Sequence, residues 1–336
     1  MAGIDEVAQR AGVSTATVSR ALSGRGYVSD ATRERVQGAA SELGYVVSST
    51  ASGLASGRTR NIGVVVPLLS HWYFSSVVEG AETALLRRGY DTTLYNLTGG
   101  DAERRSVFTQ FLLRKRVDAV IAINLELTVD EVRALHDLNK PLVGIGGPIP
   151  DVPTLALDDL EVARLATSHL TGLGHRRIGH IGGEREFDVD FHLPTTRRQG
   201  YEAALVDAGI PVEGSLLQPA DFTMNGGYIA AKQLLGSPRD RPTGIFAASD
   251  DMAIGAILAA RDLGLVVPRD VSIVGVDDNQ LAPFFNLTTI AQFPRNQGEM
   301  AVNLLLAELG EETTKPSDLS LPFELVVRGS TARPQE

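Results

Sequence analysis

Residues 4–23, IDEVAQRAGVSTATVSRALS, decide how the rest of this 336-residue chain is read. Ile4, Val7, Ala8 and Ala11 fall on one face of a helix. Gly12 breaks that helix, and Val13 fills the space beneath the turn. Ser14 is a good N-cap for a second helix, Thr15 to Leu22, whose apolar members Val18, Ala21 and Leu22 share one side. Its other side presents Thr15, Ala16, Thr17, Ser19 and Arg20. Ser29 or Asp30 caps a third helix that turns Val36, Ala39, Ala40 and Leu43 inward and stops at Gly44. Two helices joined by a tight glycine turn, with a third completing the core, describe a helix-turn-helix. The exposed side of the second helix is short, polar and ends in an arginine able to grip a guanine edge. That favours DNA over a three-helix module that binds only protein.

Charge supports the division. The chain carries −10 overall, but residues 1–60 hold seven arginines against five acids, a net of +2 that leaves −12 on the other 276 residues. A small basic head on a large acidic body suggests two jobs, with the head approaching a polyanion. There is no cysteine, so disulfides and thiolate metal sites are excluded. No apolar run reaches the ~18–20 residues of a membrane span, and no basic stretch leads into an apolar core at Met1. The expectation is a soluble cytoplasmic protein without membrane contact.

The run Ile4 to Arg20, followed by Val28-Ser-Asp-Ala-Thr-Arg-Glu-Arg-Val36 and Glu42-Leu-Gly-Tyr45, resembles the LacI/GalR family of bacterial repressors. The likeness extends to Leu325-Val-Val-Arg-Gly-Ser-Thr331 and so covers essentially the whole chain. It implies Thr15, Ala16 and Arg20 as base readers, with Ser14, Thr17 and Ser19 on phosphates. From Val46 to Thr59 the composition turns to Ser, Gly, Ala and Thr, which by itself reads as a flexible linker. The family implies a hinge helix that orders on DNA, with Leu54 as an apolar wedge between central base steps. This chain departs from the usual hinge at Val47-Ser48 and Ala51-Ser52, with Gly53 adjacent, which removes an arginine and lowers helix stability.

Beyond Arg60, apolar runs alternate with amphipathic stretches: Ile62 to Pro67, helix Val77 to Arg88, Asp91 to Tyr95, Glu103 to Arg114, Ala119 to Ile123, Leu142 to Ile145. The order recurs as Ile178 to Ile181, helix Arg198 to Ala208, Thr223 to Leu235, Gly244 to Ala247 and Val271 to Val276. Three segment pairs match: Arg60-Asn-Ile-Gly with Arg177-Ile-Gly, Val117-Asp-Ala-Val-Ile-Ala with Thr243-Gly-Ile-Phe-Ala, and Pro141-Leu-Val-Gly with Ser272-Ile-Val-Gly. This is a duplicated α/β plan of parallel sheets covered on both faces. The resemblance implies a type I periplasmic-binding-protein-like body of two doubly wound parallel-sheet subdomains, with the last ~45 residues returning to the first half near Gln292 and finishing in the second. The expected boundaries are 1–46 for the helix-turn-helix, 47–60 for the hinge, and 61–336 for an effector-binding and dimerisation body. Its N-subdomain covers about 61–159 and 292–318, its C-subdomain about 160–291 and 319–336.

No catalytic signature is present: no nucleophile elbow, P-loop or His-Glu-x-x-His, and Arg177 stands where Gly172-Leu-Gly174 would need its third glycine. His192 with Asp188 and Asp190 reads as a polar loop rather than a metal site. No cofactor, no metal and no enzymatic activity are expected. The crevice candidates are polar residues just past strand ends, with aromatics among them. Asp158 follows Thr154 to Leu157 and reads equally as a helix cap beside Asp159. Arg197 stands at a helix start, Asp277 ends Ile273-Val-Gly-Val276, and Asp250 after Ser249 is either a cavity acid or a helix cap. Acceptors around one rigid donor fork suit adjacent hydroxyls. The family places Asp158, Arg197 and Asp277 on a sugar's hydroxyls and Phe222 as a stacking aromatic. Trp72 and Tyr73, in His71-Trp-Tyr-Phe74, offer a flat face to a ring or pack at the subdomain mouth.

The expected protein is a homodimeric repressor on palindromic double-stranded operator DNA, controlled by a small effector, with a sugar inducer the leading case. A purine-type corepressor, a phosphorylated carrier protein as the signal, and a solute-binding or enzymatic body with a vestigial head are the alternatives.

Overall fold

The computed structural model describes residues 2–23, 27–45, 58–97, 100–114, 117–183, 193–311 and 319–335, and all structural statements below concern these. The chain separates into two units, Met1–Arg60 and Asn61–Glu336.

The first unit holds α1 (Ile4–Ala11), α2 (Thr15–Ser23) and α3 (Asp30–Glu42). Val7, Val18 and Val36 are fully buried and, with alanines from each helix, make its small core. Gly12 closes α1 in the left-handed conformation at φ 65°, which a residue with a Cβ adopts only at a cost. The Glu6 carboxylate takes the Gly3 N–H at 3.0 Å, satisfying one donor at the start of α1.

The second unit opens with β1 (Asn61–Val66), α4 (Trp72–Arg87), β2 (Asp91–Asn96) and α5 (Asp101–Ser106), followed by a π-turn and a 3₁₀ turn to Arg114. Then come β3 (Ala119–Ile123), α6 (Val129–Asp137), β4 (Leu142–Ile145), β5 (Thr154–Leu155) and α7 (Asp159–Gly172). The later segments are β6 (Ile178–Gly183), α8 (Leu193–Asp207), β7 (Leu217–Ala220), α9 (Met224–Leu235), β8 (Gly244–Ala247) and α10 (Asp250–Asp262). The chain ends with β9 (Ser272–Asp277), β10 (Thr288–Ala291), α11 (Pro294–Glu308) and β11 (Glu324–Val326).

The first sheet runs β2-β1-β3-β4-β5 and the second β7-β6-β8-β9-β10, the same order twice, with β11 added at the far edge. The three matched segment pairs fall on β1 with β6, β3 with β8, and β4 with β9, so the internal repeat is structural. The expectation of wholly parallel sheets is corrected at one place: β11 pairs antiparallel with β10, Thr289 opposite Val326. A strand that arrives from outside the βαβ succession has no crossover helix to force it parallel.

Two helix expectations also change. The helix expected from Val77 begins at Trp72, because Phe74, Val77, Ala81 and Leu85 form one buried stripe and the aromatics are its first turn. The stretch from Glu103 to Arg114 is not one helix. Its widened turn brings Val107, Phe108 and Leu112 into a single apolar cluster with Val117 and Leu135.

The chain passes between the halves more than once. Ala156 bridges to Ser320 at one crossing. At another, β10 ends in the second sheet at Ala291 and α11 begins three residues later, packing Ala301, Val302 and Leu305 into the first half's core. The contact of α11 with α4 depends on two glycines. A Cβ on Gly298 would collide with the Val77 carbonyl oxygen, and one on Gly80 with the Arg295 carbonyl oxygen. Gly298→Ala should therefore destabilise the body by about 1–3 kcal/mol in urea unfolding. The exposed neighbour Asn296→Ala should stay within about 0.5 kcal/mol of wild type. Equal midpoints for the two variants would contradict the close backbone approach.

Candidate functional site

In the first unit, α2 is built as the sequence suggests. The Ser14 hydroxyl takes the Thr17 N–H at 3.2 Å and lies 2.9 Å from the Thr17 hydroxyl. That contact turns Thr17 toward the cap and leaves it half-buried, whereas Thr15, Ala16, Ser19 and Arg20 are exposed. At the other end of α2, Arg33 donates to the Ala21 carbonyl at 3.0 Å, supplying a partner for a helix-end acceptor. Arg10 and Glu42 pair at 2.7 Å between α1 and α3, an exposed contact worth little energy but fixing geometry. Leu54 and the hinge residues Val47, Ser48, Ala51, Ser52 and Gly53 lie outside the described residues, as do Asp188, Asp190 and His192.

In the second unit a cavity of about 320 Å³ opens at the carboxyl ends of both sheets' strands. Parallel strands all end at the same rim, and that rim carries the polar side chains. Asn124 follows β3, Ser249 follows β8, Asp277 ends β9 and Gln292 follows β10; all four line the cavity. Trp72 and Tyr73 enter from the first turn of α4, Phe222 from the turn after β7. A larger concavity of about 860 Å³ along β6 and β7 holds none of the site residues expected from sequence.

Arg197 stands in the second turn of α8, a helix that starts at Leu193 rather than near Arg198, and it is only 3% exposed. Its Nε and Nη2 both reach Asp159 Oδ1 at 2.8 Å, and Nη1 donates to the Ala248 carbonyl. A buried guanidinium needs such partners, because leaving it unpaired costs several kcal/mol, on the order of 3–5. The carboxylate beside it is therefore Asp159 and not the expected Asp158. Asp158 is exposed, outside the cavity lining, and caps α7 by accepting the Glu161 N–H at 3.0 Å. Successive residues at a helix start point in different directions, so one residue decides between cap and cavity.

Asp250 is also repositioned. It is fully buried behind the cavity wall, accepting the Thr289 hydroxyl at 2.6 Å and the Asn279 N–H at 2.9 Å. Ser249 is the cap of α10, and Asp251 is the acid that lines the cavity. Asp277 is 8% exposed, takes the Gln292 side-chain amide and the Asp250 N–H, and holds φ at 134°. Burial pushes its carboxyl up to about 7, against the pull of Arg197 and Gln292; burial and the neighbouring Asp277 raise Asp250 as well. Burial lowers His71 below the usual imidazole range although Asp251 and Asp221 oppose it. His71 precedes α4 without capping it and lines the cavity.

Sequence reasoning thus found Trp72, Tyr73, Arg197, Phe222 and Asp277 on the cavity wall. It missed Asp159, Asn124, Gln292, His71 and Asp251. Asn124, directly after Ala119 to Ile123, carries the same signal as the others: a polar residue just past a strand end. His175 and His180 are internal: His175 bonds Thr243 and Ala332, and His180 stacks between Tyr201 and Phe246. Among the described residues no group of three acids or histidines could hold a metal ion, and no helix is long and apolar enough to cross a membrane.

Comparison with known proteins agrees with both units. Residues 3–48 match the model of bacterial regulatory proteins of the lacI family, and residues 167–331 match a periplasmic binding protein-like domain. The transcriptional repressor CytR of Escherichia coli (strain K12) is 35% identical over 334 residues, covering 98% of this chain and 96% of CytR. The solved complex of the transcriptional regulator CelR with cellobiose is 32% identical with a TM-score of 0.71, covering 98% of this chain and all of that one. The lac repressor dimer bound to operator and the anti-inducer ONPF is 27% identical with a TM-score of 0.84, covering 98% of this chain and 99% of that one. The chain belongs to the LacI family of bacterial regulatory proteins, DNA-binding transcriptional repressors with a helix-turn-helix head and a periplasmic-binding-protein-like effector domain.

Proposed function

We propose that this repressor binds a palindromic operator as a cytoplasmic homodimer and is released by a neutral, hydroxyl-rich sugar held in the 320 Å³ cavity. The boundaries 1–46, 47–60 and 61–336 then mark reader, hinge and effector body. Thr15, Ala16 and Arg20 read base edges, while Ser14, Thr17 and Ser19 meet phosphates. Exposure of Thr15, Ala16, Ser19 and Arg20 along one short helix supports this assignment. Leu54 from each protomer wedges the operator's centre.

The observation that carries the sugar reading is the cavity wall itself. Asp159, Asp251, Asp277, Asn124 and Gln292 converge there, while its arginine is already paired with Asp159. Such a wall accepts hydrogen bonds from hydroxyls and, among the described residues, offers a phosphate or carboxylate no arginine or lysine other than the paired Arg197. Trp72 and Phe222 supply ring faces. Those same faces favour a second reading, a purine corepressor stacked on Phe222. Either ligand acts only by preferring one arrangement of the two halves.

Fluorescence anisotropy on the protein's own promoter region separates the readings. With a sugar panel that includes cellobiose, operator affinity should fall at fixed salt, and Arg197→Ala should abolish that response while operator binding persists. Tighter binding on adding a purine would establish the corepressor instead, and no specific binding under any condition would refute the operator reading. Arg20→Ala should weaken specific binding by about 1–3 kcal/mol and relax preference at one base position. Uniform weakening across sequences would move Arg20 to a phosphate.

Asp277 adds a pH signature. A carboxyl raised in the folded chain keeps a proton that the unfolded chain has lost, so its stabilisation is present at low pH and is lost as pH rises toward about 7. Wild type should therefore lose stability relative to Asp277→Asn between about pH 5 and about pH 7.5, read as urea midpoints at each pH. A constant difference across that window would place the Asp277 carboxyl at its ordinary value.

A further inference from the structure

One buried polar residue has no role in the reading above. Gln297 lies in the first turn of α11, is 1% exposed, and does not line the cavity. Its helix is otherwise apolar inward, with Ala301, Val302 and Leu305 beside it in the first half's core. A methionine or leucine would pack there without the cost of desolvating an amide. The hydrogen bonds of Gln297 show what the amide supplies.

The crossover from β10 to α11 is two residues long, Gln292 and Phe293, and Phe293 sits in the left-handed region at φ 50°, ψ 56°. Gln297 holds both carbonyls of that crossover. Its side-chain N–H donates to the Gln292 carbonyl at 2.6 Å, and its backbone N–H to the Phe293 carbonyl at 3.1 Å. Its amide oxygen accepts the Tyr73 hydroxyl at 2.7 Å, and Tyr73 is on the first-half wall of the cavity. The Gln292 side chain in turn donates to Asp277, on the second-half wall. A continuous hydrogen-bonded chain thus runs Tyr73–Gln297–Gln292–Asp277 from one wall to the other through the strained crossover.

We propose that Gln297 is a positioning residue that fixes the separation of the two cavity walls by bracing this crossover, and so sets the ligand-free state on which the effector acts. The proposal rests on the reading of the cavity as the effector site for its functional meaning, but not for its geometry. Three features combine: two backbone carbonyls held by one residue, a left-handed residue between two structured elements, and polar contacts to both walls. With the amide replaced, the Gln292 carbonyl loses the Gln297 side-chain donor and the Tyr73 hydroxyl keeps its longer 3.4 Å contact with Asn124, which lies on the first-half wall and does not reach the crossover, so the walls no longer move as one unit.

Trp72 is the only tryptophan in the chain and lines the cavity next to Tyr73, so it reports the wall directly. The test is acrylamide quenching of Trp72 emission in the full-length, ligand-free protein for wild type, Gln297→Met, Tyr73→Phe and the double variant. Each single variant should raise the quenching constant about twofold, and the double should fall well short of the sum of the two increases, since both remove the bond between Tyr73 and Gln297. Wild-type quenching in both single variants, or a double variant equal to the sum, overturns the proposal. If Gln297→Met does not unfold cooperatively, Tyr73→Phe decides alone, because it removes only a hydroxyl.

A cellobiose and purine-base titration on the same samples keeps the two claims apart. No emission or operator response in wild type refutes the effector reading, and the quenching comparison still decides the brace. A wild-type response with the same midpoint in Gln297→Met and unchanged quenching refutes the brace and leaves the effector reading standing.

Discussion

Every parallel strand in this body ends its hydrogen-bond ladder at the same rim of its sheet, and the two rims share one cavity because the chain crosses between the halves. That arrangement underlies the rest. A parallel ladder is buried on both faces, so Val, Ile and Ala fill the strands and polar residues collect where the strands stop. Duplication of the β-order brings two such rims to one place, and the glycine contact between α4 and α11 draws the returning segment tight enough to close the second crossing.

The cavity's electrostatics follow from burial more than from the chain's net charge. A body carrying −12 has acids in excess, yet its innermost charged groups are quenched in different ways. Arg197 is neutralised by Asp159, while Asp250 is driven toward its protonated form by desolvation and by Asp277, and Asp277 by desolvation and by Asp251. His71 is driven toward neutrality. What remains is a wall rich in hydrogen-bond acceptors, to which Asp221 and Asp251 add further carboxyl groups. The same wall is mechanically continuous, since Asp277 is tied through Gln292 and Gln297 to Tyr73. A ligand that engages Asp277 and Tyr73 together touches both ends of that chain.

Much of this was legible in the residues. The helical repeat of Ile4, Val7, Ala8 and Ala11, the Gly12 turn and the Ser14 cap specify the head because helix termini and turns are local chemistry, decided within a few residues. The two rounds of apolar runs specify the duplicated sheets, and residues at strand ends specify where a crevice must lie. The first turn of α4 was less legible, because Trp72 and Tyr73 become helical only once Phe74 is buried.

What the sequence determined by itself, then, was the three helices of the head, the repeated order of the main strands of the body and the rim on which polar side chains gather. Tertiary structure alone decided which of two adjacent aspartates caps a helix and which pairs with Arg197, and that Asp250 lies behind the wall while Asp251 faces the cavity. It alone joined Tyr73 to Gln297, which are 224 positions apart. The reason is physical. Local pattern depends on spacing along the chain, whereas the direction of one side chain at a helix start, and the partner of one buried amide, depend on which groups folding brings within hydrogen-bond reach.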